Sequence, residues 1–243
     1  MWHAAKTADA GSRALAVVHL GRRAYGPTWE LQKRLVVLRQ RNQLPDTMLL
    51  VEHDPTYTIG RNGRSGHVLW DERQLRVRGV EVFRIDRGGD VTYHGPGQLV
   101  GYPIIDLRQR GLGVRAYIEA LEAALIAVCR ELGLPARREE GLVGVWIGDR
   151  KIAAIGVRVS RGVTSHGFAF NVSTDLTYFD GIIPCGIRNR GVTSLARELG
   201  AVPTWSEICR QVAAAVSQAL GYDGWAYEDE AHVVAAVSGA THS

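Results

Sequence analysis

The stretch VGVWIGDRKIAAIGVRVSRGVTSHGFAFNVS, residues 143–173, decides the fold class. Val143–Ile147, Lys151–Val159 and Gly167–Ser173 follow a period of two, joined by short turns at Gly148-Asp149-Arg150 and around Arg161-Gly162. That period marks strands, and turns so short join antiparallel neighbours. Upstream, Thr47–His53 and Val80–Ile85 also read as strands, and Tyr57–Gly60 as extended chain. Helical spacing appears over 27–41, with Pro27 in the first turn, and over 114–132. In the latter, Ile118, Leu121, Leu125, Val128 and Leu132 form one apolar stripe that Gly133 ends. A last helix opens at Thr204, where Thr204 and Glu207 make a capping box. The tail beyond about Ala231 is expected to fray. Strands in hairpin-like runs favour an α+β fold over a doubly wound one. The expectation is a mixed β-sheet with flanking helices in one domain, residues 1–243, its core about 14–220.

Composition narrows the class of protein. A chain of 243 residues that is 46% hydrophobic and 22% charged can bury a core without disulfides, and is too apolar to be disordered. No run reaches the ~18 apolar residues of a membrane helix. The opening MWHAAKTADAGSR has no apolar secretory segment, and three cysteines cannot form a complete disulfide framework. The expected location is cytoplasmic. A net charge of +4 is mildly basic and does not demand nucleic acid.

The chain holds three lysines, Lys6, Lys33 and Lys151, against 26 arginines. It writes an ordinary surface cation as arginine, so a lysine inside a patterned strand stands out: Lys can give up its proton and Arg effectively cannot. Period two puts Lys151, Ala153 and Ile155 on one face, where apolar neighbours would partly desolvate the amine. The plainer alternative is a solvated lysine beside a hairpin turn.

Cys129 and Cys209 fall on helices beside apolar stripes, as small buried hydrophobes do. Cys185 differs, lying in a Pro184-Cys185-Gly186 loop with little to crowd its sulfur. A nucleophilic thiolate needs a cation, a base or a helix N-terminus nearby, and the candidates are Lys151, His94 and His166. A buried loop cysteine is the alternative, and the two histidines also fit hydrogen-bonded core positions.

RGGDVTYHGPGQ, residues 87–98, is the densest loop. Arg87 suits an anion or carbonyl, Gly88 and Gly89 leave room beside the backbone, and Tyr93 and His94 could wall a slot. Equally, Gly95-Pro96-Gly97 is how a sheet turns a corner. It is not a P-loop, since no Gly-Lys-Ser/Thr follows. GRNGRSG, residues 60–66, also admits a nucleotide-phosphate reading, against the commoner one of a solvated loop. No Cys/His spacing suggests a metal site.

Taken together and in order, RGGDVTYHGPGQ (87–98), KIAAIGV (151–157), SHGFAFN (165–171) and IPCG (183–186) closely resemble the lipoyl(octanoyl) transferase family. The resemblance spans roughly residues 50–195. It implies a fold similar to the biotin and lipoate protein ligase catalytic domains. The implied reaction moves an octanoyl or lipoyl group from acyl carrier protein to a specific lysine of lipoyl domains. Such acceptors belong to 2-oxoacid dehydrogenase complexes and the glycine cleavage H protein. No cofactor, metal, nucleic acid or membrane is implied. Carried over by position, Cys185 is the acyl-thioester nucleophile and Lys151 the residue that lowers its pKa. Substrate contacts fall to Arg87, Gly88, Gly89, Asp90, Val91, Thr92, Tyr93 and His94, to Ala154, Ile155 and Gly156, and to Gly167, Phe168 and Ala169. The basic balance would then steer an acidic carrier protein. The rival readings are an ATP-dependent ligase using residues 60–66, a cysteine hydrolase with His94 or His166, and a non-catalytic carrier-binding module.

Overall fold

The computed structural model describes residues 14–183 and 190–239. In chain order the strands and helices are β1 (Ala14–Arg23), α1 (Tyr25–Gln40), β2 (Thr47–His53), β3 (Thr56–Ile59), α2 (Glu72–Val77), β4 (Glu81–Arg84), β5 (Val91–His94) and β6 (Gln98–Ile104). They continue with α3 (Val114–Glu131), β7 (Arg137–Glu139), β8 (Leu142–Ile147), β9 (Arg150–Ser160), β10 (Val163–Asn171), α4 (Leu195–Leu199), α5 (Trp205–Ala219), β11 (Gly224–Tyr227) and α6 (Glu230–Gly239). Eight strands form one sheet in the order β11-β1-β2-β6-β10-β9-β8-β7, and β4-β3-β5 form a smaller one. The large sheet is mixed, as expected: β11, β1 and β2 run parallel, and from β2 onward every pairing is antiparallel.

Burial on both faces explains why β2 reads as one apolar run. Met48 and Leu50 pack with α3 and α5 side chains such as Leu121, Leu125, Ile208 and Val212. Leu49 and Val51 face the other way, toward Leu35 and Leu38 of α1 and Val233 and Val237 of α6. A central strand covered by helices on both sides has no polar face to alternate with. The small sheet builds its own apolar cluster from Tyr57, Ile59, Val80, Val91, Tyr93 and Ile182.

Helix boundaries follow local chemistry. Pro27 lies in the first turn of α1, where a missing N–H removes nothing from the helix. Thr204 and Glu207 form the expected capping box on α5, with Thr204 N–H donating to Glu207 Oε2 at 2.9 Å. Two expectations change. The third strand of the hairpin run begins at Val163 rather than Gly167 and ends at Asn171, because backbone pairing with β9 already starts at Val163. The tail is ordered through Gly239: β11 adds a parallel edge to β1, and α6 covers α1. Two buried valines one helical turn apart hold α6 despite its small residues, together with Arg23 Nη2 donating to both carboxylate oxygens of Glu230.

If α6 is a packed element, replacing both Val233 and Val237 by alanine removes apolar burial worth about 2–3 kcal/mol. Chemical denaturation should show that loss; an unchanged midpoint would mean that the helix contributes nothing.

Candidate active site

The small sheet meets the large one where the chain leaving β4 crosses β9. Gly88 N–H donates to the Val157 carbonyl at 2.9 Å, and Ile85 N–H to Ile59 O at 2.9 Å, so this crossing is fastened to both sheets. The contact favours glycine at 156: a Cβ there would stand 3.0 Å from Arg87 Cδ and 3.1 Å from the Gly88 carbonyl, so both would have to yield by a few tenths of an ångström. Between the crossing, β9 and β10 lies a cavity of about 440 Å³. Its walls carry Arg87–Thr92 and His94, Ala154–Val157, His166–Ala169 and Lys151. Val114, Ile118 and Val143 give it an apolar margin.

Lys151 reaches this cavity through a β-bulge. Val145 pairs with Ala153 but Trp146 pairs with Lys151, so β9 carries one extra residue, Ile152, opposite β8. A bulge re-aims the side chains that flank it. The sharing of one face by Lys151, Ala153 and Ile155 is therefore not what the structure shows. Lys151 sides with Trp146 and, with Ala154, joins the cavity wall, while Ile152 and Ala153 are fully buried in the core. The Lys151 Nζ rests 4.8 Å from the Trp146 ring centroid, a cation–π distance.

The far end of the cavity is polar and buried. Arg87, 7% exposed, donates from Nη2 to the Thr58 carbonyl and hydroxyl at 2.8 and 3.0 Å and from Nη1 to Gly88 O at 2.9 Å. The hydrogen bonds around His94 settle its tautomer. Gln98 Nε2 donates to Tyr93 O and Asn171 Oδ1, so Gln98 Oε1 accepts from His94 Nδ1–H at 3.0 Å. His94 Nε2 is then the acceptor, and the Thr58 hydroxyl donates to it at 3.2 Å. Burial, then the charges on His53 and Arg87, hold the His94 pKa well below that of free imidazole. Burial, followed by Arg87 and Arg158, lowers His166 to about 3. His166 sits in β10 at a left-handed φ of 56°, held by its N–H on Gln32 Oε1 and its Nε2 on Asp86 Oδ1, at 2.9 and 2.8 Å.

Of the expected substrate residues, all but one border the cavity. Tyr93 turns away, because alternation along β5 sends it into the small sheet's cluster, stacked on Tyr178 at 4.9 Å. The loop at 87–98 divides into both of its readings: residues 87–92 line the cavity, and Gly95–Gly97 form the corner between β5 and β6. Cys129 and Cys209 are buried on α3 and α5, and burial pushes both thiols up to about 12. Cys185 lies outside the described residues, two positions after Ile183 and six before Gly191. Ile183 N–H donates to His67 O, and Gly191 O accepts from Lys151 N–H, each at 2.9 Å.

Within residues 60–66, the first four amides are already committed to the protein rather than open to a phosphate. Gly60, Arg61 and Asn62 N–H groups donate to Asp90 O, Arg87 O and Gly89 O at 3.0–3.1 Å, and Gly63 N–H to Gly60 O. Their backbone supports the cavity wall instead. Sequence reasoning missed Trp146, Thr58, Gln98 and Asn171, none of which is titratable.

A family model described as the lipoyl protein ligase A/B catalytic domain matches residues 24–217. The chain belongs to that family. Within it, the chain is 48% identical to the octanoyltransferase of Chloroflexus aurantiacus over 87% of its length and 96% of that protein's. It is 51% identical to the octanoyltransferase of Koribacter versatilis, over 80% and 79%. Among solved structures it resembles lipoate-protein ligase A bound with ATP, with a TM-score of 0.71 over 95% of both chains at 16% identity. The bipartite lipoate protein ligase of Thermoplasma acidophilum gives 0.70 over 95% and 93% at 17% identity. These two likenesses show the lipoyl ligase fold. No helix among the described residues is long and apolar enough to cross a membrane.

The buried histidines of this family member make its stability depend on pH. Burial lowers His53 to about 4, as it lowers His166 to about 3. Each group's folded pKa is depressed below its unfolded value near 6.5, so above pH 6.5 their neutral burial costs nothing extra. As pH falls from 6.5 toward 4 the unfolded chain takes up protons that the folded chain refuses, and stability drops. The melting temperature should fall steeply across that window, with net proton uptake on unfolding. A flat profile between pH 7 and 4.5 would contradict the buried neutral state.

Proposed function

We propose that this chain transfers an octanoyl group to a lysine of lipoyl domains, through a thioester on Cys185 assisted by Lys151. The reading is supported most by one arrangement. A lysine amine, one of three in a chain with 26 arginines, stands on the wall of a cavity of about 440 Å³ with an apolar margin. The names of its relatives point to the same acyl group. The donor is octanoyl-acyl carrier protein, and the acceptors are lipoyl domains of 2-oxoacid dehydrogenase complexes and the glycine cleavage H protein.

The chemistry needs no external energy. Lys151 takes the thiol proton of Cys185, whose sulfur attacks the donor thioester carbonyl. The tetrahedral adduct collapses by breaking the bond to the carrier sulfur, which leaves as a thiol with the proton from Lys151. One thioester has replaced another. The acceptor lysine, as a free amine, then attacks the octanoyl-cysteine. Its surplus proton passes through Lys151, the C–S bond breaks, and Cys185 is restored as the product amide forms. Free lysine has a pKa of about 10.4, so a base beside the reacting carbon raises the fraction of reactive amine.

The remaining site residues bind and exclude. Each buried CH2 contributes ~0.8 kcal/mol, so cavity depth selects chain length. Burial, with Arg87 a lesser contributor, keeps His94 and His166 neutral, which leaves Arg87 as the positive charge at the polar end of the cavity. Gly88, Gly89, Gly156 and Gly167 contribute to the cavity lining against which the acyl chain would lie.

Intact-protein mass spectrometry after mixing with octanoyl-carrier protein, without ATP or acceptor, tests the covalent step. Wild type should gain one octanoyl mass, labile to hydroxylamine, and Cys185→Ser should not. Lys151→Met should slow acylation by about 10²–10⁴-fold. An unmodified wild type that turns over only with ATP and free octanoate would establish a ligase instead.

A further inference from the structure

Four segments distant in sequence meet at one buried amide. Asn171, 4% exposed, ends β10 directly opposite Gln98, the first residue of β6. Its Oδ1 accepts from Gln98 Nε2, and its Nδ2 donates to the Thr193 carbonyl, both at 2.9 Å. Thr193 N–H donates in turn to Lys151 O at 3.0 Å, and Lys151 N–H donates to Gly191 O at 2.9 Å. Residues 191–193 thus lie parallel to the start of β9 as an isolated bridge between Val192 and Lys151.

Two backbone bonds hold little on their own, because a lone strand pair of that length is not stable in water. Two side-chain ties anchor it. On one side the Thr193 hydroxyl bonds Glu198, which pairs with Arg150 at 3.0 Å. That tie is partly exposed, with Arg150 at 36%, and exposed ion pairs contribute little. On the other side stands Asn171, buried and bonded at both ends of its amide. Its acceptor is fixed by Gln98, Gln98 by His94, and His94 by Thr58, so the amide cannot rotate without stranding a buried group.

We propose that Asn171 is a positioning residue for acyl transfer: by holding Thr193 it keeps residues 191–193 against Lys151 and fixes the amine-bearing end of β9. The proposal rests on the role given to Lys151 above. Its physical content is geometric. The bulge at Ile152 breaks the regular register with β8 immediately beside Lys151, and the bridge to Val192 holds Lys151 from its other side. The chemistry of an asparagine suits the task, since it must accept from one neighbour and donate to another at once.

Asn171→Asp keeps the volume and the acceptor toward Gln98 but presents an oxygen to the Thr193 carbonyl. Asn171→Ala removes both bonds. For each variant the rate of octanoyl transfer and amide hydrogen exchange at Lys151 and Thr193 would be measured, with Val100 and Phe168 as internal controls. The expected result is kcat lower by about 10- to 100-fold with KM within about twofold, the loss of one buried hydrogen bond. Exchange at Lys151 and Thr193 should accelerate by a similar factor while the control amides keep their protection. An Asn171→Asp variant with wild-type kcat and wild-type protection at both amides would overturn the proposal. So would a raised KM at unchanged kcat, which would place Asn171 against substrate. If wild type transfers no octanoyl group, the assigned reaction fails, and the exchange measurement still decides whether the tether exists.

Discussion

The site depends on a close approach between two backbones. Residues 86–90 belong to the connection within the small sheet, yet they form a wall of a cavity whose floor is the large one. What joins them is the Gly88–Val157 hydrogen bond, and what permits it is the missing side chain at Gly156. A Cβ there would press on Arg87 Cδ and the Gly88 carbonyl and push them back by a few tenths of an ångström. The amides of residues 60–62 secure the same wall from behind. Their use there distinguishes this loop from a phosphate cradle more firmly than its composition does.

Once Arg87 is buried, the electrostatics of its neighbours follow. A guanidinium cannot neutralise itself by losing a proton, so the groups around it must adjust. The imidazoles of His94 and His166 remain neutral. Neutrality then dictates hydrogen-bond direction: with Gln98 donating twice, His94 must carry its proton on Nδ1 and accept at Nε2. With burial the main reason that both imidazoles are neutral, Thr58, His94, Gln98 and Asn171 take fixed orientations beside the buried Arg87 charge. It costs desolvation energy, offset in part by three bonds to Thr58 and Gly88 oxygens.

Much of this was legible in the residues. Helix α3, with its single stripe and terminal glycine, and the capped α5 announce themselves through local chemistry. The period-two runs at 143–173 establish antiparallel strands, and the glycine-rich loop marks the cavity wall. Other features arise only from packing. Tyr93 sits inside a motif otherwise devoted to the cavity, but strand alternation turns it into the small core, and no motif reading contains that alternation. The bulge at Ile152 left no compositional trace, so a strict period placed Lys151 on the wrong face. β11 and α6 were missed because four residues, Gly224–Tyr227, and an alanine-rich tail acquire their order from β1 and α1, not from themselves.

The bulge gives physical meaning to the scarcity of lysine. Trp146 presents its indole to two cations: Lys151 Nζ at 4.8 Å and the Arg190 guanidinium at 5.4 Å. Arg190 also pairs with Glu139 at 3.0 Å, so it serves as an anchor. Lys151 reaches the same ring from the neighbouring strand, re-aimed by one inserted residue, on the margin of the cavity. A guanidinium at 151 would satisfy the aromatic contact equally well but could neither take nor return a proton. The packing requirement at position 151 is a cation on an indole face, and arginine meets the same requirement over Trp70. The proposed acyl transfer adds a second requirement, reversibility of that charge, and it is this one that selects lysine.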